Sequence, residues 1–393
     1  MKLLVSAGEA SGDQYAAWLV ETLQQRWAGM EFFGCAGAKL RAAGVRPVVE
    51  AERLAVVGLV EVLGHVPRIY GEFRKLCAAA EAERPQLAVL TDSPDFHLRL
   101  AKKLHRLGIP IVYLVAPQVW AWRGWRIRLV RRVVTRLLCI FPFEEAFFRR
   151  HGVAATYIGH PLAGRLAPSL GRAEFFRKHR LAAERPLIAV LPGSRRGEAA
   201  RHLPILLEAV KQLNAWRAMN FVLAASPTTG QPFLAPRIAG SGIKIVEGET
   251  CELLTHADLA LVASGTATVE AALLGAPMVI FYRVQPATWL LGKWFVRTPY
   301  YSMVNLLAER KIVPELIQSD FTAQNLAGQA RRLLEEPARI NQMRQDLAEV
   351  AGKLSGGKQA LARAADVVEE LLGLGGAKIA EVRKEARDAK TRA

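Results

Sequence analysis

The sequence has few cysteines and no long apolar run. Its four cysteines are widely spaced and form no C-x-x-C pair, which favours reduced thiols in a cytoplasmic protein over a disulfide framework. No apolar run approaches the ~20 residues that a membrane-spanning helix needs. Met1 and Lys2 lead directly into a strand-like run, without a visible signal peptide. We therefore expect a protein that is soluble or that lies on a membrane surface.

Acidic residues are also scarce. The chain has 36 Asp and Glu residues against 53 Lys and Arg residues, a net charge of +17. Such an excess predicts an anionic partner, either nucleic acid, a phosphorylated substrate or acidic lipid. The stretch between Phe96 and Phe143 contains no acidic residue, and its basic residues stand beside Trp120, Trp122 and Trp125. This combination suits single-stranded nucleic acid and suits the headgroup level of an anionic membrane equally well.

The usual cofactor signatures are missing. There is no G-x-G-x-x-G fingerprint and no Walker loop, so the sequence does not favour a nicotinamide or ATP site. The eight histidines show no paired spacing, and no Cys/His cluster is present. We predict that the protein uses no cofactor and no metal ion.

Strand-like runs alternate with helical patterns in both halves of the chain. The run Leu3–Ala7 is followed by a glycine-containing turn and a helical pattern, and the run Leu187–Leu191 starts the same alternation again. This pattern predicts an α/β fold with two Rossmann-like, doubly wound domains that face a cleft. We expect domains over residues 1–165 and 166–340, C-terminal helices over 341–376, and a charged tail over 377–393.

The stretch Val262–Pro277 predicts an anion site. An apolar strand ends in Ser264, Gly265 and Thr266, and a helical pattern follows. The first turn of a helix has unpaired N–H groups and the positive end of the helix dipole, so it attracts phosphate. Glu270 lies one turn further on, where it could accept hydrogen bonds from a sugar diol. An ordinary capped turn with a solvent-facing Glu270 remains the alternative for this stretch alone.

A second turn, Gly193-Ser194-Arg195, also follows a predicted strand. If the two strands are neighbours, both turns lie at the same edge of the sheet. Backbone N–H groups with the Ser264 and Thr266 hydroxyls would then hold one side of a diphosphate, and the Arg195 guanidinium the other. No metal is needed, because Arg195 and the helix end can offset the charge of the leaving group.

The first half supplies the predicted base. Asp92 follows the short strand Leu87–Leu90, where groups in an open α/β sheet face the ligand. Asp92 could take a proton from a substrate hydroxyl, or it could cap the next helix. The turn after the first strand contains Glu9, Ser11 and Asp13, and its acidic residues either cap a helix or face a substrate.

Eight short motifs occur together in one order: GEASGD (8–13), DSPDF (92–96), PQVWAWR (117–123), FPFE (141–144), GHP (159–161), PGSRxxE (192–198), SGTATVE (264–270), and NLL with PEL (305–316). In this order they resemble the lipid-A-disaccharide synthase family, collinearly from about residue 3 to 370. The family resembles inverting glycosyltransferases of the B-type fold, with the nucleotide in the C-terminal domain. The resemblance agrees with the pattern derived from the residues.

The resemblance implies a reaction and the residues that serve it. It implies that UDP-2,3-diacylglucosamine is joined to 2,3-diacylglucosamine 1-phosphate through a β-1,6 linkage, with release of UDP. Asp92 would be the catalytic base. Contacts with the UDP-sugar would come from the residues Gly193, Ser194, Arg195, Ser264, Gly265, Thr266, Glu270, Arg283 and Asn305. The acceptor side would include Glu9, Ser11, Asp13, Trp120, Trp122 and Arg123.

The same resemblance implies a location. Because both substrates carry long acyl chains, the protein would lie peripherally on the inner, cytoplasmic face of the cytoplasmic membrane, on its anionic surface. The family also allows a homodimer with exchanged C-terminal segments. The sequence departs from the usual pattern at Ser302–Asn305 and at Ala308-Glu309-Arg310, which puts the role of Arg310 in doubt.

Two other interpretations compete with this one. The first is another UDP-sugar glycosyltransferase or a UDP-sugar epimerase of the same fold, against which the Trp-rich motif argues. The second is a nucleic-acid-binding protein, suggested by the net charge, although no recognised RNA or DNA module is present. We predict no nucleic-acid partner.

Overall fold

The structure is a computed structural model that describes residues 1–54, 59–121, 123–285, 298–356 and 359–374, without the side chains of 59–66. Trp122, the basic and aromatic patch Trp289–Arg297 and the tail 377–393 lie outside the described residues. The described chain divides into two compact units. The first contains Met1–Pro161 and the residues from Gly356 onward, and the second contains Leu162–Ser355.

Within the described residues, the first unit contains one sheet of seven parallel strands in the order β3-β2-β1-β4-β5-β6-β7. The strands are β1 (Lys2–Ala7), β2 (Glu31–Ala36), β3 (Arg46–Glu50), β4 (Leu87–Thr91), β5 (Ile111–Leu114), β6 (Arg136–Cys139) and β7 (Ala155–Tyr157). All residues of β4 and β5 are buried. Such continuous apolar strands are typical of a parallel sheet that is covered on both faces.

Helices connect these strands. They are α1 (Ala10–Arg26), α2 (Ala38–Ala42), α3 (Leu59–Glu83), α4 (Pro94–Arg106), α5 (Ile127–Val133) and α6 (Pro142–Arg150). A further helix, Ala360–Leu371, returns from the end of the chain to this unit. Arg26 at the end of α1 binds Asp366 at 2.6 Å and Glu369 at 3.0 Å on that helix.

Among the described residues of the second unit, six parallel strands form a sheet in the order β10-β9-β8-β11-β12-β13. They are β8 (Leu187–Leu191), β9 (Asn220–Ala225), β10 (Lys244–Glu247), β11 (Leu259–Ala263), β12 (Met278–Tyr282) and β13 (Glu315–Ile317). Its helices are α7 (Arg172–Lys178), α8 (Arg196–Trp216), α9 (Gly230–Ile238), α10 (Thr250–His256) and α11 (Thr266–Leu273), followed by Met303–Ala308, Ala323–Glu335 and Pro337–Ser355.

Both strand orders contain the switch point at which doubly wound sheets bind ligands. The order reverses between β1 and β4 in the first sheet and between β8 and β11 in the second. Ala7 pairs with Thr91, and Leu191 pairs with Val262, so the turns that follow these strands share one edge within each sheet. The predicted α/β class with two doubly wound sheets is confirmed.

The C-terminal helices differ from the prediction of one separate segment over 341–376. The helix Pro337–Ser355 belongs to the second unit, and Ala360–Leu371 packs in the first. Helical periodicity identifies both helices but does not say which sheet each one covers. In the part of the chain that the structure describes, no helix is both long enough and apolar enough to cross a bilayer.

Candidate active site

The carboxylate of Asp92 lies at the switch point of the first sheet, directly after β4. Asp92 and Ser93 have left-handed backbone conformations, with φ of +54° and +38°, a strained geometry that is common at functional sites. Asp92 Oδ1 accepts a hydrogen bond from the Gly8 amide at 3.0 Å, and Oδ2 accepts one from the Glu9 amide at 3.1 Å. The side chain is 13% exposed. The carboxylate is therefore held in place and still accessible.

The surroundings of Asp92 suit a general base. Burial raises the pKa of Asp92 well above that of an ordinary aspartate, and the negative charge of Glu9 raises it further. Hydrogen bonds from Ser93 and from the amides of Gly8 and Glu9 favour the ionised form and oppose this shift. A carboxylate with a raised pKa binds a proton more strongly, as proton abstraction from a hydroxyl requires.

His97 and Tyr113 hold the backbone of Asp92 from the buried side. His97 Nδ1 lies 3.0 Å from the Asp92 carbonyl oxygen, and its Nε2 lies 2.8 Å from Ser6 Oγ. Burial lowers the pKa of His97 to about 4, so the ring is neutral at pH 7. Because a carbonyl only accepts, Nδ1 carries the hydrogen. The Tyr113 hydroxyl donates to the same carbonyl at 2.6 Å. Both side chains therefore hold Asp92 in place through its main chain.

The glycines of the GEASGD motif make room for Asp92. A Cβ at Gly12 would lie 1.6 Å from Asp92 Oδ2, and a Cβ at Gly8 would lie 2.4 Å from Ser93 Oγ. No side chain fits at either position unless the carboxylate or its turn moves. The first turn of α1 thus approaches the base closely because it carries glycine.

Gly12→Ala should lower kcat about 100-fold, since a displacement of a catalytic group by about 1 Å has an effect of that size. UDP affinity, measured by calorimetry, should remain that of the wild type. The matched control is Gly71→Ala in α3, where an added Cβ meets no atom within 4 Å. Equal kcat values for the two variants would contradict the packing of Gly12 against the base.

Asp13 has a structural role that corrects its assignment to the acceptor side. Its side chain is buried, with 5% exposed. Oδ1 accepts from the Gly37 amide at 2.7 Å and Oδ2 accepts from the Lys39 amide at 2.9 Å. Asp13 therefore caps the start of α2. Glu9 is exposed, and Ser11 is half-buried in the first turn of α1, so both remain predictions for the acceptor side.

Two residues of the PQVWAWR motif form side-chain hydrogen bonds within the first unit. Trp120 Nε1 donates to Glu144 Oε1 at 3.0 Å. Arg123, which has a left-handed backbone conformation, donates to both carboxylate oxygens of Asp95 at 3.0 Å. The polar groups of Trp120 and Arg123 thus have partners within the protein. Any contact that Trp120 makes with an acceptor uses the indole face.

The PGSRxxE turn of the second unit folds around its own glutamate. Glu198 Oε2 accepts from the Ser194 amide at 3.1 Å and from the Arg195 amide at 3.5 Å. A Cβ at Gly193, which has a φ of +119°, would lie 2.4 Å from the same oxygen. The side chains of Ser194 and Arg195 are both exposed at this turn, so both remain predicted contacts for a ligand.

Ser264, Gly265 and Thr266 form the other side of this switch point. Gly265 is the N-cap of α11, and Gly265 and Thr266 are exposed at its start. Ser264 Oγ donates to the Tyr301 carbonyl at 3.4 Å, so it accepts further hydrogen bonds through its lone pairs. Since β8 and β11 pair directly, this turn and the Gly193–Arg195 turn lie at one sheet edge, as the diphosphate hypothesis requires.

Glu270 lies one turn inside α11, and burial raises its pKa to about 7. Within the described residues, its carboxylate has no recorded hydrogen-bond or ion-pair partner. The residue is half-buried, and removing a carboxylate from water without a partner is costly, so hydroxyl donors from a ligand would stabilise it. Glu270 remains the predicted contact for a sugar diol.

Asn305 is engaged within the protein, whereas Arg283 is half-buried and remains a predicted nucleotide contact. The Arg283 guanidinium donates to the carbonyls of Gln318 and Phe321 at 3.0 Å. Asn305 is completely buried. Its carboxamide donates to Val313 and Glu315, and accepts from the amides of Ile312 and Val313, at distances between 2.8 and 3.0 Å. All hydrogen bonds that this side chain can make are therefore used within the protein.

The doubtful residue Arg310 also has internal partners. It forms ion pairs with Asp346 at 2.9 Å and Glu349 at 3.1 Å on the helix Pro337–Ser355. These contacts connect the loop after Met303–Ala308 to that helix. Arg310 therefore stabilises the position of this loop against the helix.

Three glutamates that support the site were not predicted as site residues. Glu144 and Glu198 lie at the third position of their helices and accept from the N-cap amides of Phe141 and Arg195, which is half of a capping box. That spacing is readable from sequence. Glu315 accepts from Ser302, Asn305 and the Tyr301 amide. No local sequence signal indicates this last cluster.

The geometry defines a class of protein. Two Rossmann-type sheets, with a carboxylate at one switch point and phosphate-sized turns at the other, are typical of B-type glycosyltransferases and sugar-nucleotide epimerases. This fold is shared by S. aureus MnaA with UDP, with a TM-score of 0.67 and 12% identity over 95% of this chain and 97% of that one. It is shared by a UDP-GlcNAc 2-epimerase from Neisseria meningitidis bound to UDP-GlcNAc, with a TM-score of 0.64 and 13% identity over 95% and 100% of the two chains. Acinetobacter baumannii MurG has a TM-score of 0.53 and 17% identity over 94% and 99% of the two chains.

Sequence comparisons resolve the family within this class. The family model described as lipid-A-disaccharide synthetase matches residues 3–368. The lipid-A-disaccharide synthase of Solibacter usitatus is 61% identical over 371 residues, which cover 94% of this chain and 97% of that protein. The lipid-A-disaccharide synthase of Myxococcus xanthus is 44% identical over 375 residues, with the same coverage of both chains. The chain belongs to the lipid-A-disaccharide synthase family of glycosyltransferases.

Proposed function

We propose that the chain joins UDP-2,3-diacylglucosamine to 2,3-diacylglucosamine 1-phosphate through a β-1,6 linkage with inversion, and releases UDP. Asp92 takes the proton from the acceptor 6-hydroxyl as its oxygen attacks the anomeric carbon. The bond from that carbon to the diphosphate oxygen breaks, and the charge moves onto UDP. The observation that carries this proposal is the accessible Asp92 carboxylate, held at a switch point with its pKa raised by burial.

The second unit would bind the UDP part of the donor. We assign the diphosphate to the side chains of Ser194 and Arg195, the exposed start of α11 at Gly265 and Thr266, and Ser264. We assign the sugar diol of the uridine to Glu270. Structures of the same fold with UDP and with UDP-GlcNAc support a nucleotide-sugar ligand for this arrangement. The arrangement would offset the leaving-group charge without a metal ion.

Incubation with the two acylated substrates tests the proposal. Mass spectrometry should detect the tetraacyl disaccharide 1-phosphate, with one equivalent of UDP, and EDTA should leave the rate unchanged. Conversion of unacylated UDP-GlcNAc to its epimer, without disaccharide formation from the acylated pair, would refute it in favour of the epimerase interpretation.

We also propose that the protein works on the anionic inner face of the cytoplasmic membrane and contacts it through the first unit. The basic helix face consists of exposed residues on α4 and α5: Arg99, Lys102, Arg106, Arg128, Arg131 and Arg132. The two helices pack together, and within the described residues none of the six side chains forms an ion pair.

Two exposed aromatic residues, Tyr70 (60%) and Trp125 (69%), lie near the start of α4. Tyr70 stacks on Phe73, which contacts Phe96 in α4. Trp125 contacts Arg126, which forms an ion pair with Asp95 in α4.

The triple variant Arg128→Glu, Arg131→Glu, Arg132→Glu should bind phosphatidylglycerol vesicles at least ~100-fold more weakly, because each basic residue near an anionic surface contributes about 1 kcal/mol. Vesicle co-sedimentation measures this. The matched control changes three exposed residues of the second unit, Lys211, Arg217 and Arg344, to Glu. Equal losses in both variants would mean that net charge alone matters. Tight binding of single-stranded RNA by a protein that ignores the vesicles would favour the nucleic-acid interpretation.

A further inference from the structure

Glu144 is a buried carboxylate of the first unit that caps helix α6 with one oxygen and contacts a distant loop with the other. The residue is completely buried. Oε2 accepts from the amides of Ile140 and Phe141 at 3.3 and 3.2 Å. Oε1 points the other way and accepts from Trp120 Nε1 at 3.0 Å. The second oxygen therefore serves the PQVWAWR loop, 24 residues earlier in the chain.

The Trp120 side chain is fixed by more than this hydrogen bond. Its ring meets the edge of Phe143 at a centroid distance of 4.9 Å. The neighbouring Val119 is buried in the core of the first unit. At the other end of the loop, Asp95 binds Arg123 at 3.0 Å and also binds the buried Arg126. Asp95 is three residues from the base Asp92, so the loop is joined to the segment that carries the base.

Removing the Glu144 carboxylate from water to bind the Trp120 side chain costs free energy. Burial raises the pKa of Glu144 to about 7, while the Trp120 N–H and the two amides favour its ionised form. Three N–H donors reach the two oxygens of this completely buried side chain. Charge-assisted hydrogen bonds of this kind are stronger and more directional than neutral ones. They suit a group whose function is to set the orientation of one side chain.

We propose that Glu144 is a positioning residue for the acceptor substrate: it sets the orientation of Trp120 in the PQVWAWR motif, and it has no contact with substrate itself. The proposal rests on the acceptor-side role of this loop in the proposed function. It predicts that Glu144 influences acceptor binding and leaves donor binding unaffected.

Glu144→Gln tests this in a steady-state assay with both acylated substrates. The NH₂ group of the glutamine would face one of the three N–H donors, so one hydrogen bond is lost. Losing one hydrogen bond to a charged group should raise the acceptor KM about tenfold. The donor KM should be unchanged. In ¹⁵N-tryptophan-labelled protein, the indole N–H resonance of Trp120 should move upfield. The control is Glu145→Gln on the same helix, whose partner is Arg149 at 2.7 Å.

Trp120→Phe removes the same hydrogen bond from its other end and keeps the ring beside Phe143. It should raise the acceptor KM as Glu144→Gln does, and the double variant should raise it no further, because both changes remove one interaction. Trp216→Phe in α8 is the control. This second variant carries the test if Glu144→Gln does not fold.

The outcomes separate the two proposals. If the wild type makes no disaccharide, the proposed function fails. If the wild type is active but both variants match their controls, or raise the donor and acceptor KM values equally, the positioning role of Glu144 is overturned and the proposed function stands.

Discussion

Asp92→Asn should lower kcat by a factor of about 10² to 10⁴, the contribution of a positioned general base. The asparagine has the same shape but takes no proton from the acceptor hydroxyl. The proposed nucleotide contacts belong to the second unit, so UDP affinity measured by calorimetry should be unchanged. A kcat close to that of the wild type would exclude Asp92 as the base.

The pH profile gives an independent check of the same assignment. A base works only when it is ionised, so kcat/KM of the wild type should fall as the pH is lowered through the raised pKa of Asp92. The residual activity of Asp92→Asn should lack this decline. An identical acidic limb in both proteins would assign the titration to another group.

The stability of Asp92→Asn should stay close to that of the wild type, because the NH₂ group loses one of the two hydrogen bonds from the Gly8 and Glu9 amides while the removal of a buried charge offsets this loss. Burial raises the pKa of Asp92 in the folded protein, so above that pKa ionisation occurs more readily in the unfolded chain and reduces the free energy of unfolding. The neutral asparagine removes this cost. A melting temperature close to that of the wild type would show that the lost activity is not a loss of folding.

Arg195→Ala should weaken UDP binding by roughly 2 to 5 kcal/mol, the cost of truncating one partner of a desolvated charge pair. Arg195 is the N-cap of α8 and its side chain is exposed at the ligand edge of the second sheet. Its amide donates to Glu198, and we assign the positively charged guanidinium to the diphosphate. Titration with UDP followed by calorimetry measures the effect.

The neighbouring Arg196 is a matched control for this prediction. Its guanidinium donates to the Thr228 carbonyl at 3.2 Å and lies over the Phe233 ring. Arg196→Ala removes the same charge and should leave UDP affinity within a small factor of that of the wild type. Equal weakening in both variants would indicate a general effect of net charge instead of a specific contact with Arg195.

Local sequence predicted the parts of the site that depend on neighbouring residues. Continuous apolar runs such as Leu187–Leu191 predicted parallel strands, and the glycine turns after them predicted the switch-point positions. In a parallel sheet all strands end at one edge, so a residue directly after a strand lies at the ligand edge whatever the rest of the chain does. Asp92 and Ser264–Thr266 are placed by this rule alone.

The tertiary structure decided which polar side chains remain available for a ligand. Asp13 and Asn305 fit their motifs as well as Asp92 does, yet both are buried and hydrogen-bonded within the protein. Arg283 meets its partner carbonyls 35 and 38 residues further along the chain, and Trp120 meets Glu144 24 residues away. A buried polar group must find a partner, and distant segments supply that partner only after the sheets have formed. Sequence by itself therefore determined the fold class, the family and the sheet edge at which each candidate residue lies. Only the packing of distant segments decided whether that residue is accessible to a ligand or is hydrogen-bonded inside the protein.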